Sequence, residues 1–196
     1  MDLLCSGQDL VWRRPWPADI IANLVSAMNR EGTIKNSNLE LAALVLHEAT
    51  LLAAVPGARL AAPRSGSYNT LTISWSTKEA SMINPVVTEI LRISALHLRK
   101  FFINPSVFYH PGIKNIMADN ASCLFEISDT SPLSHISATY PQLKSLWQIS
   151  LPPPDLLSCM ISTLHRKPCK WDYTRCLIEE SLQAVEQLLF LPVDRY

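Results

Sequence analysis

Ser106-Val-Phe-Tyr-His-Pro-Gly-Ile-Lys-Asn-Ile-Met-Ala-Asp-Asn-Ala-Ser122 is the stretch on which the fold turns. Ser106 to His110 is a short β-like run, and Pro111-Gly112 ends it, because proline removes a backbone donor and glycine accepts a turn. Asn115 to Phe125 then reads as a short helix. A strand end, a Pro-Gly turn and a helix, in that order, set Asp119 about one turn into the helix, facing whatever lies at the C-terminal end of the strand.

Working outward, the element before this stretch is a helix starting at Asn84-Pro85, an N-cap followed by proline at the first helical position. Val87, Ile90, Leu91, Ser94, Leu98 and Phe101 share one face, Thr88, Arg92 and Arg99 another, so the helix covers a core. Asn104-Pro105 stops it. Further upstream, Asn36-Ser-Asn-Leu-Glu40 opens a second helix that runs to about Leu52, with Ser37 and Glu40 at capping-box spacing and Pro56-Gly57 closing it. Between the two, Thr70 to Trp75 alternates polar with apolar and β-branched residues, which by pattern alone reads as a strand. Asp19 to Met28 has apolar residues at helical spacing and is either a short helix or an irregular connection, and Val11 to Pro17 is an aromatic and basic segment of edge-strand character.

Past about Thr130 proline recurs, at 132, 141 and 152–154, and two amphipathic helices are expected at 155–165 and 174–190. Leu157, Met160, Ile161 and Leu164 are in register on the first. The proline run is a stiff spacer, which places a domain boundary between 127 and 150.

The composition narrows the function classes. With 17 basic and 17 acidic side chains the net charge is +0, which argues against autonomous high-affinity binding to nucleic acid but not against a module of a larger basic protein. Only 5 glycines occur, none in Walker or Rossmann spacing, so a phosphate-cradling loop has no support. The longest apolar stretch, Leu39 to Val55, is interrupted by Glu40, His47 and Glu48 and is read as a buried helix, not a membrane span. Without a signal-like start, the 5 cysteines (5, 123, 159, 169 and 176) are expected as free thiols in an intracellular, nuclear or cytoplasmic compartment. His165, Cys169 and Cys176 lie close in sequence but lack the repeating spacing of a zinc site.

The segment His110 to Ser122 resembles the PGxxNxxADxxS signature near the end of the ribonuclease H-like domain of retroelement polyproteins. Asn36 to Ala43 is similar to the segment that carries the second of that family's four metal-binding carboxylates. Ser67-Tyr-Asn-Thr, with Trp75-Ser-Thr-Lys-Glu-Ala-Ser81, resembles the SDNxxxVxWxxK stretch that follows the strand of the third. Trp12-Arg-Arg-Pro-Trp-Pro17 looks like the entry to the domain in retrotransposons that carry a tyrosine recombinase, and Trp147 and Leu156 to Pro168 resemble the linker after it. The resemblance implies an α/β fold: a mixed sheet with flanking helices over 11–128, N-terminally incomplete, then a proline-rich linker at 129–154 and a helical tail at 155–196. It also reverses one local reading, placing the strand at roughly 59–67 and a helix after it.

Intact relatives hydrolyse the RNA strand of RNA/DNA hybrids with two magnesium ions about 4 Å apart held by carboxylates. By resemblance Glu40 and Asp119 are the remnant catalytic and metal-binding carboxylates, with no other cofactor. Tyr68 stands where the third aspartate belongs, and its phenol is a neutral, poor ligand for magnesium. The first aspartate is expected upstream of Trp12, where only Asp2 and Asp9 occur, and Cys123 replaces an arginine of the family. The expected object is a truncated, diverged domain with a degenerate active site that holds no stable magnesium and grips an RNA/DNA hybrid weakly at most.

Each site residue also has a plain structural reading. Glu40 serves as the capping partner of Ser37, Asp119 as a favourable charge at a helix start, and His110 as a partly buried turn histidine. Trp12, Trp16 and Trp75 serve as core and rim packing, and the scattered arginines as a solvated face. A different class of function is a non-enzymatic module whose amphipathic C-terminal helices dock a protein partner, with no membrane involved.

Overall fold

The interrupted apolar stretch forms the central element. In the computed structural model, which describes residues 10–12, 14–55, 64–78, 84–101, 103–114, 138 and 148–169, helix α2 spans Asn36–Ala54 and is buried nearly all round. Leu41, Ala42, Leu46, Ala49 and Leu52 are all but inaccessible, and even Thr50 is buried, its hydroxyl donating to the Leu46 carbonyl at 2.7 Å. A helix with apolar residues on every side has to sit inside the molecule, and its few polar side chains go in with it. No described helix is long and apolar enough to cross a membrane.

Around α2 the described chain is mixed α/β. A two-residue strand β1 (Leu10–Val11) and a five-residue helix α1 (Ala18–Ala22) precede it. Strand β2 (Arg64–Ser67), helix α3 (Thr70–Lys78), helix α4 (Pro85–Phe101) and strand β3 (Ser106–Tyr109) follow. Two-residue strand β4 (Gln148–Ile149) and helix α5 (Pro154–Leu164) come last. β2 and β3 pair in parallel, Arg64 opposite Ser106 through Ser67 opposite Tyr109, so α3 and α4 form the crossover between them. β1 pairs in parallel with β4 in a separate ladder.

Thr70 to Lys78 is helical and follows the strand, as the resemblance orders them, and not the strand that alternation alone suggests. The local reason is Asn69, whose Oδ1 accepts from the backbone N–H of Leu71 at 3.0 Å and of Thr72 at 3.1 Å, an N-cap that the alternating pattern outweighed on paper. The start of α4 is as expected: Asn84 Oδ1 accepts from Val86 N–H at 3.0 Å and Val87 N–H at 3.4 Å. Its amide also donates to Asn38 Oδ1 at 3.3 Å, which ties the first turns of α2 and α4 together.

The capping box at Ser37 does not form. Helix α2 already begins at Asn36 with Lys35 at the N-cap and no side-chain cap, so Ser37 lies inside the first turn. Of the segment 19–28 only the first residues are helical. Beyond Ala22 the chain bends, Leu24 bridges to Ile34, and Gly32 lies so close to the Asn23–Val25 backbone that a Cβ there would approach to 2.6–2.7 Å, closer than side chains sit.

Helix α5 joins the same core as α2 and α4. Leu156, Met160 and Leu164 are among the most buried of the described side chains and cluster with Ile90, Val87 and Leu46. The buried stripe runs through Leu156, Cys159, Met160, Thr163 and Leu164, one position round from the expected one, and leaves Leu157 and Ile161 at its margin. After a turn at Arg166, whose φ is 57°, Cys169 folds back to form a disulfide with Cys159. This pair is therefore not free thiol, contrary to the composition-based expectation, because the turn brings Cα atoms ten residues apart in sequence to 5.2 Å. Cys5, Cys123 and Cys176, the expected helices at 115–125 and 174–190, and Trp147 lie outside the described residues.

Candidate active site

The two expected site positions that fall among the described residues, Glu40 and Tyr68, meet in space. Strand β2 ends at Ser67, and the next residue, Tyr68, swings its phenol toward the first turn of α2, where its hydroxyl donates to Glu40 Oε1 at 2.5 Å. The residues are 28 apart in sequence and come from a strand end and a helix start, so the contact is a product of the tertiary fold. Glu40 is thus a hydrogen-bond acceptor across the site and not the capping partner of Ser37. Asp119 and Asp9 lie outside the described residues.

The strand ends are held in line by backbone contacts. His110 N–H donates to the Ser67 carbonyl at 2.9 Å, extending the β2–β3 ladder to the Pro111-Gly112 turn. Ser67 Oγ accepts from Asn69 N–H at 3.1 Å, so one short segment, Ser67-Tyr68-Asn69, ends the strand, presents the phenol and caps α3. Gly66 is favoured by close approach: a Cβ there would stand 3.1 Å from both the His110 Cβ and the Phe108 ring, so these neighbours would have to give by a few tenths of an ångström. The His110 ring is half-buried, lies edge-on to Phe108 with centroids 6.3 Å apart, and its Nε2 is buried without a hydrogen-bond partner among the described residues.

The surface here is aromatic and exposed. Tyr68 is 43% exposed, Tyr109 and Phe108 are also exposed, and the Arg64 guanidinium lies 5.2 Å from the Phe108 ring centroid. Trp12, Trp16 and Trp75, in contrast, pack against the main core. Arg92 is engaged by Glu89 on its own helix at 2.6 Å, while Arg13 and Arg59 are outside the described residues.

As a metal centre the described residues fall short. Among the described residues Glu40 is the only carboxylate at the strand ends, and one of its oxygens accepts the Tyr68 phenol; magnesium prefers several hard oxygen ligands and keeps water otherwise. Among the described residues no three His, Cys, Asp or Glu side chains gather as a metal set. His165 and Cys169 do not pair as ligands either, since Cys169 is in the disulfide and His165 Nε2 sits 2.9 Å from Asp19 Oδ2.

A second polar feature escaped sequence reasoning. His47 and Glu48 are adjacent on α2 and both buried. Trp12 Nε1 donates to His47 Nδ1 at 3.4 Å, which requires a neutral ring, and burial pushes the imidazole down to about 4. Burial likewise pushes the Glu48 carboxyl up to about 7, opposed only in part by the neighbouring Ser65 hydroxyl. Ser65 Oγ and Glu48 Oε1 nonetheless complete no hydrogen bond among the described residues. The signal was present in the sequence, as polar residues inside an apolar run too continuous to have an exposed face.

A scan against protein-family models matches none, and comparison with curated proteins and with solved structures returns no match.

Proposed function

We propose that this chain is a retroelement-derived ribonuclease H-like domain in which hydrolysis of RNA/DNA hybrids has been lost. The observation that carries the reading is the Tyr68–Glu40 hydrogen bond, which joins the two positions that the resemblance assigns to the third and second metal-binding carboxylates. Parallel pairing of β2 with β3, with the helical crossover between them and the Pro-Gly turn after β3, gives further support, since the resemblance orders its elements the same way. In this reading the phenol takes the place of a carboxylate and holds Glu40 by a hydrogen bond where a metal ion would have held it. The chemistry lost is activation of water and stabilisation of the leaving oxygen by the metal pair.

Cleavage of an RNA/DNA hybrid in magnesium tests the reading on the unaltered chain, Tyr68→Asp and Asp119→Asn. The unaltered chain is expected to show no turnover, and Tyr68→Asp to gain a magnesium-dependent rise in melting temperature that Asp119→Asn removes from the double variant. Robust cleavage by the unaltered chain, abolished by Asp119→Asn, overturns the loss of activity; a Tyr68→Asp chain indifferent to magnesium counts against the family reading itself. The alternative of a protein-docking tail draws no support from α5, whose apolar stripe is buried in the core, and would have to rest on residues 174–190.

A further inference from the structure

A cavity of about 240 Å³ lies between α2 and α4. Its walls are mixed: Leu44 and Val45 of α2, Leu91 and Leu98 of α4, Ile103 beyond that helix and Val107 of β3 supply the apolar part, and Ser76 and Ser94 supply hydroxyls. Asn104 and Arg99 lie at its exposed margin. Among the described residues the one acid in the lining is Glu48, only 4% exposed, with Oε1 lacking a hydrogen-bond partner. Glu48 is two turns along α2 from Glu40, about 12 Å by helical rise, and the cavity meets the sheet at the start of β3 and not at the end that carries Tyr68. It is thus separate from the candidate active site.

A buried carboxyl oxygen without a donor is costly, and no described side chain of the lining donates to Oε1. The space exceeds the roughly 10–15 Å³ that a single bridging water needs. We propose that this cavity is a binding site for a small amphipathic amine, whose apolar body lies against Leu44, Leu91, Leu98 and Val107 and whose ammonium group donates to Glu48 Oε1. An amine is selected over a neutral donor because it supplies both the missing hydrogen bond and a counter-charge in a site of low polarity. An acid is excluded by the carboxyl, and a wholly apolar molecule leaves Oε1 unsatisfied. On binding, the ammonium enters charged and Glu48, where it is still protonated, releases its proton to solvent. Arg99 is the other charged side chain of the lining among the described residues, and its exposure lets water screen it. The inference is independent of the retroelement reading.

Isothermal titration calorimetry with 2-phenylethylamine and its neutral counterpart 2-phenylethanol tests it on the full chain. The amine is expected to bind the unaltered protein at least about tenfold tighter than the alcohol, a difference in line with a charge-assisted hydrogen bond. Glu48→Gln should abolish that preference, and Ser94→Leu, which narrows the cavity without altering the acid, should weaken both ligands. Failure of the unaltered chain to bind the amine, or a preference that survives Glu48→Gln, overturns the proposal. Should Glu48→Gln not fold, amine binding unaffected by Ser94→Leu overturns it equally.

Discussion

Replacing Glu48 by glutamine is expected to change how stability depends on pH more than stability at any single pH. In the folded chain Glu48 titrates at about 7, above its ordinary 4.5. Between those values the native state keeps a proton that the unfolded chain has released, so stability falls as pH rises through this window. At about 1.4 kcal/mol per pH unit the loss is about 3 kcal/mol, complete above pH 7. His47 has the opposite sign, titrating at about 4 in the folded chain against an ordinary 6.5. The unfolded chain binds a proton there that the native state refuses, so stability falls by about 3 kcal/mol as pH drops through that window. From about pH 4.5 to 6.5 the two slopes oppose each other and nearly cancel, leaving the unaltered protein's profile flat as far as these two groups determine it.

Glu48→Gln removes one slope and exposes the other. Relative to the unaltered chain, the variant should gain about 3 kcal/mol between pH 4.5 and 7.5, on top of a constant offset from the amide itself. His47→Gln should show the mirror image, with its advantage growing as pH falls from 6.5 to 4. Urea denaturation at half-unit pH steps measures both, and differences between variants cancel the titration of all other groups. A Glu48→Gln difference that stays constant to within about 0.5 kcal/mol across pH 4.5–7.5 would refute the burial argument, because a solvated carboxylate carries no such linkage.

Four further outcomes follow from the contacts described. Asn84→Ala should destabilise the fold by about 1–2 kcal/mol in thermal melts, since it removes the α4 cap together with the Asn38 contact. Gly66→Ala should cost about 1–3 kcal/mol and displace the amide resonances of Phe108 and His110, because the new methyl meets the His110 Cβ, which cannot move without β3; unshifted resonances would contradict the close approach. Leu156→Ala should cost about 2–5 kcal/mol and lower the single unfolding transition as a whole, whereas a separate early transition would mark α5 as an independent unit. Reducing the Cys159–Cys169 disulfide, or Cys159→Ser with Cys169→Ser, should lower stability by about 3 kcal/mol on the loop-closure model, read as a shift of the urea midpoint between oxidising and reducing buffer.

Much of the scaffold was legible because its signals are local. Asn84-Pro85 sets the start of α4 through a side chain two and three residues from the amides it caps, and the apolar continuity of Leu39 to Val55 dictates a buried helix whatever packs around it. The strand at 106–109 ends at Pro111-Gly112 for equally local reasons. Thr70 to Trp75 was misread by alternation because a short half-apolar run satisfies both periods, and the choice passed to Asn69, one residue outside it. The Ser37–Glu40 pair fits a capping box by spacing, but Glu40 is drawn instead to a phenol that the sequence holds 28 residues away.

What the sequence determines by itself is therefore which segments must be helical or extended and which of them must be inside. Only the tertiary structure decides which polar groups face one another: Tyr68 with Glu40, Trp12 with His47, Cys159 with Cys169, and Glu48 with the lining of a cavity. The physical reason is range. Helix periodicity, caps and turns are set by neighbours within one or two turns of chain, whereas a carboxyl's protonation, hydrogen bonding and reach depend on the atoms that packing brings up from other elements, and on the water that packing takes away.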